Sequence, residues 1–65
     1  MKPTKLVLDW LESRLNHKIV TSNGKVTLKG ILLKYDDSTM LLYGDKSILV
    51  DMEKLVAIYE EFYET

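Results

Sequence analysis

The sequence predicts an α+β fold, mainly β, in which an N-terminal helix precedes five short, strongly bent antiparallel strands. Three observations carry this expectation. Apolar residues recur at three- and four-residue spacings across residues 4–16, as they do along one face of a helix. After His17 the apolar period falls to two, the signature of strands. Turn-forming residues then punctuate the chain at Asn23-Gly24, Asp36-Asp37-Ser38 and Gly44-Asp45.

The helix is expected over residues 4–16, with Thr4 as its cap and Asn16 ending its last turn. Leu6, Val7, Trp10, Leu11 and Leu15 form one apolar stripe that docks on the sheet. The polar side mixes Lys5, Asp9, Glu12 and Arg14, which argues against an anionic membrane surface. His17, at the helix end, reads as a capping group.

The first strand spans 18–22 and turns at Asn23-Gly24, the strongest short-range hairpin signal. The return strand spans 25–35 and alternates, Val26 and Leu28 pointing one way and Lys25, Thr27 and Lys29 the other. Gly30 interrupts it, which predicts a bulge or sharp bend there. Strands at 39–43, 47–51 and 55–59 follow, and the acidic tail, with Phe62 and Tyr63, either extends the last of them or frays. Five bent strands of this length close best as a small SH3-like barrel. Tyr35, Tyr43 and Tyr59 read as packing residues on it.

The chain's 65 residues make a single domain, 1–65, without linker, repeat or low-complexity segment. A domain this small buries only roughly 60% of the surface its unfolded chain exposes. It has no cysteine to staple it, and a lone His17 excludes an ordinary structural zinc site. Small scaffolds lacking both devices gain stability by oligomerising. The two C-terminal strands point the same way. Ile48-Leu49-Val50 and Leu55-Val56-Ala57-Ile58-Tyr59 are apolar at consecutive positions, so both of their faces favour leaving water. Pairing the fourth strand of one copy with the fifth of the next hides these faces and the unpaired edge groups together. Such a head-to-tail contact closes into a ring. Ile48, Leu49, Val50, Leu55, Val56, Ile58 and Tyr59 are therefore the expected inter-subunit residues, and a second copy of the chain the expected partner.

The order of these features resembles the Sm-like family, in particular its bacterial, Hfq-like branch. The likeness covers nearly the whole chain: a short helix, then five strands with Asn23-Gly24 at the first hairpin. Gly30, followed by Tyr35-Asp36 and Met40-Leu41-Leu42, resembles the first Sm motif, and Leu55-Val56-Ala57-Ile58 resembles the closing strand of the second. The resemblance implies a cyclic homo-oligomer of about five to seven subunits that binds single-stranded RNA near its pore or on one flat face, in an RNA-chaperone or regulatory role. It maps the family's loop contacts onto Tyr35, Asp36, Ser38, Met40, Met52 and Lys54. The residue types there differ from the family pattern. Met40 stands in place of an asparagine, Ser38 in place of an aromatic, and Asp51-Met52-Glu53-Lys54 replaces the basic pair. Asp36, Asp37, Asp51 and Glu53 oppose phosphate at these positions.

With a net charge of −1, polyanion binding must come from local placement of basic side chains. Lys25, Thr27 and Lys29 on one strand face, with Lys18 on the neighbouring strand, form the preferred RNA-binding row. Lys2, Lys5 and Arg14 on the helix side are second. No nucleophile–base pair, metal set or phosphate cradle is visible, so the chain reads as a non-enzyme with no cofactor, no metal and no small-molecule substrate. No apolar run approaches the ~20 residues of a membrane span, and the first residues make a poor secretory signal. Together with the missing cysteines this predicts a cytoplasmic protein without a membrane partner. Two other classes remain: a ring-shaped scaffold that has lost RNA binding, and a monomeric SH3-like peptide binder.

Overall fold

In the computed structural model, which describes residues 1–61, Thr4 opens the helix as an extended cap residue whose hydroxyl accepts from the Val7 N–H at 3.3 Å. The helix, α1 (Lys5–Ser13), is three residues shorter at its C-terminal end than the apolar spacing suggests. Arg14 N–H turns back to Leu11 O at 2.9 Å, a tightened last turn. Asn16 then takes a left-handed conformation, φ 67°, and its N–H leaves the helix for Leu32 O at 2.7 Å. Leu11 is fully buried, flanked by partly buried Val7, Leu8, Trp10 and Leu15. Leu6 does not share that stripe and is 80% exposed. At 3.6 residues per turn it sits about 140° round the helix from Leu11, and Leu8 takes its place.

Five strands follow: β1 (Lys18–Ser22), β2 (Thr27–Tyr35), β3 (Thr39–Tyr43), β4 (Ser47–Asp51) and β5 (Ala57–Tyr59). They form one antiparallel sheet in the order β4-β3-β2-β1-β5. The sheet is open, with β4 and β5 as its two edges. β1, β3 and β4 occupy the spans read from the alternation. β2 and β5 each start two residues later, and in both cases a local turn takes the N–H groups. Asn23 Oδ1 accepts from Lys25 N at 2.9 Å and from Val26 N at 2.8 Å, which holds both residues in the turn around Gly24, φ 94°. Leu55 N donates to Met52 O at 3.1 Å, closing a single 3₁₀ turn (Met52–Lys54), before Val56 N reaches Ser22 O at 2.9 Å.

The irregularity expected at Gly30 lies elsewhere. Gly30 pairs regularly with Ile19, and the register slips between Leu32 and Lys34, so Leu33 is the bulged residue. Gly30 is needed for a different reason. A Cβ there would lie 3.1 Å from Leu42 Cβ and 3.2 Å from the backbone N and O of Tyr43. Close approach of β3 thus leaves little room for a side chain.

Cross-strand partners share a face of the sheet. The inner face contributes Ile19, Leu32, Met40, Leu42 and Val50, which join Leu11 of the helix and Met52 and Leu55 of the 3₁₀ turn in one core. The Met1 ammonium donates to the carbonyls of Met52, Glu53 and Leu55 at 2.8, 3.0 and 2.6 Å, anchoring the segment that leads into the helix. The expectation for the tail at Phe62 and Tyr63 falls outside the described residues.

Candidate nucleic-acid interface and assembly edges

Among the described residues, each edge strand has hydrogen-bonded neighbours on one side alone: β4 pairs with β3, and β5 with β1. The seven candidate inter-subunit residues divide by face. Val50 and Leu55 point inward and belong to this chain's own core, and Ile48 and Ile58 pack against its margin. Leu49, Val56 and Tyr59 stand outside, 70%, 66% and 42% exposed. Both strands therefore carry apolar side chains on the side their own subunit leaves open. Along the β4 edge runs a groove of about 270 Å³ whose apolar wall is Val26, Leu28, Leu49, Val50 and Leu55, with Asp51 and Lys54 at its rim. Thr21 lies at its floor, its hydroxyl donating to Leu28 O at 3.4 Å.

The basic row is rearranged. Thr27 and Lys29 lie in β2 on the outer face, where Lys29 is directly across from Val20 and one step diagonal to Lys18. Lys25 does not project with them, because Asn23 holds it in the turn. Lys18 and Lys29 instead border a shallow depression of about 320 Å³, completed by Gly30, Ile31, Tyr43, Gly44 and Asp45. One cross-strand row builds it: Lys18 faces Ile31 and Ile31 faces Tyr43. Lys29 Nζ also lies 3.1 Å from Glu61 Oε2. Among the described residues, Lys18 and Asp45 make no ion pair, so one free ammonium and one free carboxylate border the same hollow.

The loop positions are brought to a different end of the molecule and put to other uses. Asp36 Oδ1 accepts from Ser38 N at 2.8 Å, Thr39 N at 2.7 Å and both hydroxyls, which locks the β2–β3 turn. The bond from the Ser38 backbone N–H, followed by those from Thr39, holds the Asp36 carboxyl below its ordinary range. Met40 and Met52 are core residues, each 1% exposed, and offer no contact surface. Ser38 and Lys54 are exposed. Tyr35 donates its phenol to Glu12 Oε2 at 2.6 Å, joining the helix to β2. That bond to a carboxylate raises the Tyr35 pKa.

At the helix end, Arg14 Nε lies 3.2 Å from Glu60 Oε1, and its guanidinium sits 5.4 Å from the centre of the Trp10 ring. Arg14 is thereby committed to fastening the chain just past β5. Tyr43 and Asp45 were not read as site residues. For Tyr43 a signal existed: buried Met40 and Leu42 alternate along β3, which puts Tyr43 on the outer face. Asp45 looked like any other turn residue.

No family model, curated protein or solved structure matches this chain. No helix among the described residues is long and apolar enough to cross a membrane. Among the same residues no group of side chains is placed to hold a metal ion.

Proposed function

We propose that this chain is an Sm-like protein: its sheet is an SH3-like barrel left open at one seam, and copies join through that seam into a cytoplasmic ring of about five to seven subunits. The ring binds single-stranded RNA on the outer face of the sheet, in an RNA-chaperone or regulatory role. One observation carries the reading. Among the described residues the sheet ends in two edges without a second neighbour, β4 and β5, and apolar side chains stay in water at both: Leu49 in β4, and Tyr59 in β5 with Val56 just before it. Exposed hydrophobic edges of this kind are normally avoided by monomers. Docking β5 of one copy against β4 of the next supplies the missing backbone partners and covers the groove beside Leu49 in the same step.

The assembly is tested by amide hydrogen exchange as a function of protein concentration. Edge amides of β4 and β5 are expected to be protected in the concentrated protein and to lose protection on dilution, while β1 amides stay protected. Equal, concentration-independent exchange at both edges would refute it. RNA binding is tested by titrating short oligoadenylate and oligouridylate at several salt concentrations. Affinity is expected to fall steeply with salt, because phosphate contacts release counterions, and to vanish when Lys18 and Lys29 are both replaced by Glu.

A second reading is favoured by the loops. The side chains at Met40 and Met52 are buried, and Lys29 is shared with Glu61. A ring that has kept its assembly edges and lost RNA binding, serving as a scaffold, shows the same exchange behaviour and no oligonucleotide affinity at any salt concentration.

A further inference from the structure

We infer that the outer-face depression between Lys18 and Asp45 is a base-reading subsite that selects guanine within single-stranded RNA. The inference rests on the RNA-binding reading above and adds to it which base is read and by which groups. The floor of the depression combines Ile31 and Tyr43, which face each other across β2 and β3 and are 40% and 48% exposed. Exposed Gly44 adds no side chain above the surface, so a flat ligand can approach the backbone there. An accessible tyrosine in a shallow hollow is a stacking platform for a nucleobase, and stacking alone tolerates every base.

Selectivity comes from the two free charges. Lys18 is a point cation at one rim, suited to the phosphate of the stacked nucleotide. Asp45, at the other rim, presents a carboxylate, a group that accepts hydrogen bonds. Guanine presents two parallel donors on its Watson–Crick edge, N1–H and the N2 amine, and a carboxylate accepts both in a charge-assisted, bidentate pair. Adenine and cytosine present a single amine. Uracil presents N3–H between two carbonyl oxygens, which the carboxylate repels. The expected order is guanine, then adenine and cytosine, then uracil.

The test measures binding of the full chain to a short oligouridylate, to the same oligomer with one central guanosine, and to one with inosine at that position. Inosine keeps N1–H and lacks the N2 amine. The guanosine oligomer is expected to bind about tenfold more tightly than oligouridylate, the lower end for one bidentate base contact, with inosine between them. Asp45→Asn should erase the preference without weakening oligouridylate binding. Tyr43→Ala should weaken all three by at least about fivefold, and Tyr43→Phe should restore the affinity. Equal affinity for the three oligomers, or a preference unchanged in Asp45→Asn, overturns the inference. If salt-dependent binding is still lost in the Lys18 and Lys29 double variant, the RNA reading survives that result. Absence of binding to every oligomer overturns both.

Discussion

β1 and β4 have the same length, and β4 carries one more apolar residue, yet β1 is the more buried of the two. In β1, three consecutive residues, Ile19, Val20 and Thr21, are buried. In β4, Val50 alone is buried, and its neighbour Leu49 is 70% exposed. The difference is position in the sheet. β1 has β2 on one side and β5 on the other, so its backbone is paired on both sides, whereas among the described residues β4 has only β3. Apolar content did not decide burial here, and available neighbours did. A strand with an apolar run and the place of an edge strand leaves one of its apolar side chains in water.

The comparison is broken most severely in the shared core. Leu32→Ala removes a fully buried side chain of β2 and is expected to cost about 2–5 kcal/mol. A core of this size supplies only about 3–5 kcal/mol of net stability, so chemical denaturation should find the variant largely unfolded. Gly30→Ala places a Cβ against the β3 backbone and is expected to cost about 1–3 kcal/mol in the same assay, with β2–β3 amides losing exchange protection. Thr4→Ala removes the helix cap and is expected to cost about 1 kcal/mol, leaving the sheet intact.

The smallest effect belongs to the β2–β3 turn and depends on pH. The folded-state pKa of Asp36 is lowered, so its stabilising contribution is present above the ordinary carboxylate range and is lost as pH falls through the folded value. Melting temperature should therefore decline on acidification, and Asp36→Asn should flatten that decline while lowering the plateau at neutral pH. A profile identical to that of the parent would reject the turn's role.

How far the sequence reached depends on which physical signal each feature uses. Period-two alternation marks β2, where burial of one face imposes it directly, whereas consecutive apolar runs bounded by turn residues mark β4 and β5. The starts of β2 and β5 were misplaced because single side-chain and 3₁₀ hydrogen bonds, at Asn23 and Met52, take the N–H groups that alternation assigned to the ladder. The four-residue spacing from Trp10 places Leu6 in the helix stripe, although Leu8 fits the angle to Leu11 better. A glycine within a strand predicts a bulge, but at Gly30 close packing on β3 favours the glycine, and Leu33 carries the slip. That slip also hid part of the candidate site. Lys18 and Lys29 follow from alternation within their strands, whereas the meeting of Lys18, Ile31 and Tyr43 depends on cross-strand register across three strands. Register of that kind is fixed by tertiary packing, which a pattern along the chain does not contain.

Native mass measurement at micromolar concentration tests most directly whether the two edges find each other. The expected result is one closed species of about five to seven copies of the 7.6 kDa chain, reduced to single folded chains by Leu49→Asp. A well-folded parent protein that remains at the mass of one chain would contradict it.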